Sequence, residues 1–415
     1  MKKYRNIVKI LCANLKQCWI LLVLGCFFPY GCSTSTTSFN GLPVVDLTKE
    51  YPEKDFLVGD DYIEHILLET TNEVLVDKHF FIKYASENRI VGYNWEKGDI
   101  FVFDADGKVI SSFNHTGNSG IDYIKIHTLV FDENRNEIFV DDAARRRLVV
   151  YSEDGRFLRQ LNYPEQLYAG LDNLFNYNDQ TLLAYNRRVH NLDTDDINQI
   201  MPYVFLSKED GSVVSRVDLS FPVRISEDRQ TEISPEHGSR VYSVSTNNIV
   251  KYGQEFVIAD RSSDTVYLLT QDKKLTPLFV RTPSVFDTDR VIYLSVHFKT
   301  DRYIFFGTAS YDFTRVVERL REGHPYGHLF TTRSLAFDMQ TGQIFSSVRS
   351  PRHNYLVDAP KNIAVNWFHA DWLIDWLEEG RLDGRKLKQI AEAIAQEKEE
   401  VNPVVEIAKI MKSEG

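Results

Sequence analysis

Apolar and polar residues alternate in short runs along most of this chain. The clearest pair is Phe101-Val-Phe-Asp-Ala-Asp-Gly107 followed by Lys108-Val-Ile-Ser-Ser-Phe113. It returns as Leu148-Val-Val-Tyr-Ser-Glu-Asp-Gly155 followed by Arg156-Phe-Leu-Arg-Gln-Leu161. A period of two marks a strand. An Asp-Gly pair between two such runs marks a hairpin, because Gly accepts the positive φ of the tight turn. Gly107 and Gly155 are 48 residues apart, room for four short strands and too little for helix-linked parallel ones. A repeat of this size built only of strands is the mark of a β-propeller blade.

The pattern predicts five blades in order. Blade one takes strands near 78–84, 89–93, 99–104 and 108–113, and blade two takes 123–132, 137–141, 148–151 and 156–161. Blade three takes 171–177, 181–185, 203–207 and 212–219, turning at Asp210-Gly211. In blade four (241–251, 255–259, 265–269, 275–280) Gln271-Asp-Lys-Lys274 replaces the Asp-Gly turn. Blade five takes 291–298, 303–307, 334–338 and 343–348, turning at Thr341-Gly342. A sixth blade has to close the ring from the chain ends, so Tyr62–Glu69 and Val404–Ile410, both strand-like, are placed together there. Between them the period changes. Asp371-Trp-Leu-Ile-Asp-Trp-Leu377 and Lys386–Glu400 recur at helical spacing, with Gly380 and Asn402-Pro403 as stops. The fold class expected is all-β, a six-bladed β-propeller with a short C-terminal helical segment at 370–400.

The N-terminus reads as an address. Lys2, Lys3, Arg5, Lys9 and Lys16 precede the apolar run Trp19–Tyr30, and Gly31-Cys32 leads into polar Ser33-Thr-Ser-Thr-Thr-Ser38. This resembles a bacterial lipoprotein signal, in which cleavage leaves the cysteine acylated. Val23-Leu24-Gly25-Cys26 matches the residues before the cysteine better, but apolar Phe27-Phe28-Pro29 follows it where a tether should be polar, so Cys32 is the expected lipidation site. A plain secretory signal or an uncleaved anchor are the alternatives. The expected division is 1–31 signal, 32–61 tether and lead-in, and 62–415 propeller. It places the body in the cell envelope, held by lipid on the outer membrane and facing the periplasm, since no acidic cluster follows Cys32, with exposure at the cell surface as the alternative.

Composition narrows the chemistry. All four cysteines (Cys12, Cys18, Cys26, Cys32) lie in the first 32 residues, so the body has no disulfide, thiol nucleophile or Cys-ligated zinc. The formal charge is −11, and removing the five N-terminal cations takes it to −16. So acidic a body argues against non-specific nucleic-acid binding and against adhesion to anionic lipid, leaving the N-terminal lipid as the membrane contact.

With these residues in view, the chain resembles the six-bladed, NHL-like β-propeller lipoproteins of gut-type Gram-negative bacteria. The residues carrying the resemblance are Ile100–Asp104 with Asp106-Gly107, and the loop Gly117-Asn-Ser-Gly-Ile-Asp-Tyr123. Val130-Phe-Asp-Glu-Asn134, Glu137–Asp141 and the closing Asn402–Lys409 add to it. It spans most of 42–410, with 187–200, 222–240 and 308–329 as insertions. The loop has Ser119-Gly120-Ile121 where the family is Gly-Pro-rich. The resemblance implies fold and export and says little about chemistry, because one fold serves many functions.

Blade geometry adds a site expectation. The Asp-Gly hairpins join third and outermost strands on one face of the disc. All three insertions fall on the opposite face, which is the expected working face. Candidates there for ligand binding are His115, Asn118, Asp142, Arg145, Arg187, Asp260, Arg261, Tyr311, His324 and Tyr326, with Trp95, Asp141, His190, Asp264 and His328 beside them. Asp141-Asp142 has metal-ligand chemistry, or caps a turn. Arg145-Arg146-Arg147 can clamp a carboxylate or sulfated sugar, or line a solvated strand edge. His324-Pro-Tyr-Gly-His328 sets two imidazoles four apart without a nearby carboxylate to complete a zinc triad. Trp367, Trp372 and Trp376 read as core at helical spacing rather than as a sugar platform.

No nucleophile elbow, phosphate loop, metalloprotease or EF-hand motif occurs. Two functions remain. One is a non-enzymatic, envelope-tethered binding or assembly module for a glycan, peptide or protein partner. The other is a propeller enzyme of lactonase or lyase type, with a divalent cation held in the central channel by acids and imidazoles from several blades.

Overall fold

A computed structural model of the chain describes residues 38–410, apart from 57–58, 165–166, 168–170, 187–201, 220, 222–224, 226–228, 235–237, 244–245, 288–290, 312–329, 383 and 398–399. Cys32 lies outside the described residues. Six antiparallel sheets form the blades of a propeller. Blade one is Phe80–Ala85, Arg89–Asn94, Asp99–Asp104 and Val109–Asn114, hydrogen-bonded in that order. Blade two is Leu129–Asp132, Glu137–Asp142, Arg147–Ser152 and Phe157–Asn162. Blade three is Asn173–Asn176, Thr181–Tyr185, Tyr203–Ser207 and Val213–Arg216. Blade four runs Ile249–Tyr252, Glu255–Ile258, Thr265–Leu269 and Leu275–Thr282. Blade five runs Ile292–Lys299, Tyr303–Tyr311, Phe330–Asp338 and Ile344–Arg349.

The core lies between blades, so inner strands are buried on both faces and read as unbroken apolar runs. In blade one, Phe101 and Phe103 pack with Val365, Trp367 and Val405 of blade six. The intervening Ile100 and Val102 pack with Phe131, Ile138 and Tyr151 of blade two. Equivalent layers join blades two and three, three and four, four and five, and five and six. The last sets Phe298, Tyr303 and Phe305 against Ala336, Ala364 and Ala408.

Hairpin glycines lock neighbouring blades together. Gly107, Gly155 and Gly211 all have φ between +76 and +84°, as the turn requires. A Cβ on Gly155 would meet Phe113 Cγ of blade one at 2.6 Å, and one on Gly211 would meet Leu161 Cβ of blade two at 2.9 Å. A Cβ on Gly107 would meet Leu67 O, on the outermost strand of blade six, at 2.7 Å. Each turn thus presses against the outer strand of the preceding blade. Lys273 fills this place in blade four, with φ +63°, and its ammonium reaches Ser215 Oγ of blade three at 3.2 Å.

Blade six closes the ring with both ends of the body. Val404–Lys409 lies between Ile363–Phe368 and the N-terminal strand Ile63–Leu67, antiparallel to both. The pairing of Tyr62–Glu69 with Val404–Ile410 is as the sequence pattern predicts; Ile363–Phe368 is a strand the pattern did not separate from its surroundings. The two helices, α1 (Ala370–Glu378) and α2 (Arg385–Ile394), are inserted between Phe368 and Val404 and bury Leu373, Leu387, Ala391 and Ile394 against those two residues.

Three further differences have physical reasons. The expected lead-in is not loose chain. Leu42–Asp46 adds a parallel strand outside Leu275–Thr282 of blade four, and Glu53–Asp55 does the same outside Ile344–Arg349 of blade five. Both cover edges that would otherwise offer unpaired N–H and C=O groups. The 222–240 insertion holds its own hairpin, Arg229–Ser234 with Gly238–Ser243, so blade four begins at Ile249 and not at 241. Blade two likewise begins at Leu129, because residues 115–128 form a loop.

Candidate functional site

The second strands of blades one and two end in the buried polar residues Asn94 and Asp142, and Asn186 and Asp260 follow the second strands of blades three and four, all at most 2% exposed. Asn94 Oδ1 accepts the N–H groups of Glu96 and Lys97 at 3.0 and 2.9 Å, and Asp260 Oδ1 accepts that of Ser262 at 2.8 Å. These are turn caps, the role short polar side chains take where a strand ends and the backbone must reverse.

His115, Asn118, Asp142 and Arg145 are brought together around the 115–124 loop. Arg145 donates from Nη1 to the carbonyls of Asp122 at 2.9 Å and Ser119 at 3.3 Å, and from Nη2 to that of Gly117 at 3.3 Å. Arg147 donates from Nη1 to Gly120 O at 2.8 Å, from Nη2 to Asp122 O at 2.5 Å and from Nε to Asp142 Oδ2 at 3.2 Å. Tyr151 donates to Ile121 O at 2.5 Å. His115 stacks on the Tyr151 ring at 4.9 Å and donates from Nε2 to Gly155 O at 2.7 Å. The basic run therefore satisfies the carbonyls of a loop with little regular structure. Asn118 stands exposed at its tip. Beneath, Asp141 is fully buried and accepts a hydrogen bond from Tyr163. Burial, with Asp142 and Asp172 adding to it, pushes the Asp141 carboxyl well above its usual value.

Asp260 and Arg261 sit in a second buried group between blades three and four. Tyr203 donates to Asp260 Oδ2 at 2.8 Å, Tyr185 stacks on Tyr203 at 4.7 Å, and Asn248 donates to Tyr185 Oη at 2.7 Å. Burial first, then the Asp260 carboxylate, raises the Tyr203 hydroxyl well above its usual value. Tyr311 is paired to Phe330 through its backbone. Arg187, His324 and Tyr326 lie outside the described residues, as do His190 and His328.

A third group, only partly foreseen, combines blade one with the helical insertion of blade six. His79 Nδ1 is 2.8 Å from Glu96 Oε2 and 3.4 Å from Asp77 Oδ1, and Lys97 Nζ is 3.0 Å from Asp77 Oδ2. Trp95 meets the His79 ring edge-on at 5.2 Å, with Lys125 Nζ 4.6 Å above its face. His369, which precedes α1, meets Trp372 edge-on at 4.6 Å. Burial lowers the His369 imidazole below its usual value, while Asp371 and Asp77 pull it back and His79 adds to the depression. Of the three C-terminal tryptophans, Trp367 is buried and Trp376 packs on Phe368, as expected of core. Trp372 is 43% exposed. Leu373 takes the inward position on α1, so Trp372 points away from the core. His369, against Trp372, feels the charges of Asp77 and His79, the group on which Trp95 packs.

The axis of the ring is occupied at one level by the chain itself. Asp358 donates its N–H to Lys83 O of blade one at 2.9 Å, accepts from Ala85 N at 3.0 Å, and its carboxylate pairs with Lys251 of blade four. Blades one and four are opposite in a ring of six. Burial lowers the Lys83 ammonium to about 8 against the pull of Asp358. Among the described residues no three His, Cys, Asp or Glu side chains are grouped to hold a metal ion.

The fold and these surfaces define a six-bladed β-propeller whose loop-rich face carries aromatic and charged groups. Over residues 42–409 the chain matches DUF4934, a domain of unknown function, and it belongs to that family. Among solved structures it resembles a Bacteroides fragilis protein called a "Putative exported protein", with 15% identity over 89% of this chain and 100% of that one, TM-score 0.56. It also resembles a member of the DUF4221 family from Bacteroides vulgatus, with 8% identity over 85% and 97%, TM-score 0.49. Virginiamycin B lyase from Staphylococcus aureus matches at 11% identity over 59% and 94%, and its TM-score of 0.26 has no bearing on chemistry. No curated protein matches the chain.

Proposed function

We propose that this chain is an exported, non-catalytic recognition module that engages an envelope protein, peptide or glycan across its loop-elaborated face. The observation that carries the reading is the pair of indoles Trp95 and Trp372: the first has an ammonium over it with His79, Asp77 and Glu96 beside it, and the second is 43% exposed against His369, whose imidazole feels Asp77 and His79. Indoles present large contact area at low entropic cost and are enriched where binding energy concentrates. The acids and amines around them supply directional hydrogen bonds. In the same reading Cys32 bears the lipid that holds the body at the outer membrane. The test replaces Trp95 and Trp372 with Ala and compares capture from solubilised envelope with that of the parent. Loss of the parent's specific partners with the melting temperature kept within a few degrees supports the proposal, and unchanged capture removes this face from it. Cys32→Ser should abolish incorporation of a fatty-acid analogue; undiminished labelling moves the lipid elsewhere or dismisses it.

A further inference from the structure

Between the chain that leaves blade five, the strands of blade six and the start of α2 lies a cavity of about 410 Å³. Its wall breaks the apolar pattern of blade six. On one face of the closing strand the order is Val404, Glu406, Ala408, and the cross-strand partners are Leu67, His65 and Ile63. Glu406 and His65 thus replace an apolar pair in the middle of a sheet, with side chains 5% and 7% exposed and His65 Nε2 3.2 Å from Glu406 Oε2. Arg352 Nη1 reaches the same oxygen at 3.5 Å from a side chain that is 42% exposed. His65 Nδ1 has no partner among the described residues. A buried carboxylate hydrogen-bonded to an imidazole is seldom more stable than apolar residues of like volume, so the fold alone does not call for it.

The rim supplies the complement. Helix α2 begins at the cavity with Gly384, which offers no side-chain cap, so its first-turn N–H groups are uncapped by a side chain. Lys386 of that turn lines the cavity and is tied by its ammonium to Asp60 O at 3.1 Å. Leu387 and Ile63 add apolar wall. The cavity therefore offers a carboxylate acceptor inside, cations and helix N–H donors at the rim, and an apolar side between them.

The geometry points to a binding site for an anionic sugar unit, one hydroxyl donating to Glu406 and the carboxylate or sulfate meeting Arg352, Lys386 and the start of α2. The site shares no residue with the Trp95 and Trp372 groups and stands independently of the function proposed for them. Calorimetric titration of the full chain at low salt with glucuronate, glucose 6-sulfate, glucose and inorganic sulfate tests it. At least one of the two anionic sugars should bind at least tenfold more tightly than either glucose or sulfate, and the preferred one identifies the anion. Arg352→Ala, at an exposed position, should weaken that binding at least tenfold without moving the melting temperature by more than a few degrees; Glu406→Gln should weaken it as well. Binding of neither anionic sugar, sulfate binding as tightly as both, or full affinity in Arg352→Ala would overturn the assignment.

Discussion

Gly155 shows how a single residue serves the turn and the ring together. Its φ of +84° costs an L-residue about 1–2 kcal/mol. A methyl there also meets Phe113 at 2.6 Å, an overpacking penalty of about 1–3 kcal/mol more. Gly155→Ala should therefore lose about 2–5 kcal/mol in urea unfolding. Gly380→Ala, with φ +66° and nothing within 4 Å of the new methyl, should lose only about 1–2 kcal/mol. Equal losses would mean that the contact with blade one does not restrict the site. Asp141 makes a second case. Its folded pKa is raised, so the folded state holds more protons than the unfolded state as pH rises past the ordinary carboxyl value, and stability falls with pH across that window. Asp141→Asn should be the more stable protein at pH 7 and lose that advantage near pH 3. A gain independent of pH would place its cause outside this carboxyl. The sequence named Asp142, Arg145 and His115 as neighbours in function, yet Arg145 and His115 donate to backbone carbonyls, and Asp142 accepts from Ile124 N and Arg147 Nε. Which carbonyl a guanidinium meets depends on a loop path that no periodicity encodes.

At the level of strands and helices, what was legible was what is local. Alternation and Asp-Gly turns identify four-stranded blades because both partners of each hairpin lie within a few residues. Ile363–Phe368 was missed because its partner strand is about 40 residues on, beyond two helices, with Ile63–Leu67 completing the sheet from the far end of the chain. Leu42–Asp46 and Glu53–Asp55 were missed because they pair in parallel with blades more than 200 residues away, a contact no hairpin signal announces. Trp372 was read as core because helical spacing gives a face but not its width, and Leu373 sets the true centre of α1. The two ends of the body should respond differently to deletion. Removing residues 402–415 takes out the middle strand of blade six and should give insoluble protein. Removing residues 38–55 uncovers the edges of blades four and five while leaving the ring paired, and should give a folded protein that associates as its concentration rises. Light scattering across a dilution series separates these outcomes, and a monomeric, soluble 402–415 deletion would mean that the ring closes without its C-terminal strand.

Across the whole molecule, the strongest constraint comes from the segment before Ile363, which meets opposite sides of the ring. Asp358 is hydrogen-bonded to the inner strand of blade one and ion-paired with Lys251 of blade four, while Asn362 accepts from Tyr252 of blade four at 2.7 Å. Two lysines and one carboxylate share this level, a set suited to holding blades together and ill suited to a divalent cation. Asp358→Asn leaves both ammoniums without their counter-ion and should destabilise the protein by about 3–5 kcal/mol. The dependence on pH identifies the cause. Lys83 has a folded pKa of about 8, below its unfolded value of 10.5, so the unfolded state binds more protons and stability rises with pH through that interval. Without Asp358 the Lys83 pKa falls further, because the attraction that opposed burial is gone. The deficit of Asp358→Asn against the parent should then be greatest near pH 6 and shrink as pH rises through about 8, where Lys83 is neutral in both proteins. Adding Lys83→Met should recover part of the loss at pH 6 and none above the interval. Urea unfolding of the three variants and the parent at pH 6 and pH 9 measures this, and a deficit of equal size at both pH values would mean that Asp358 acts through its backbone contacts with Lys83 and Ala85 and not through charge.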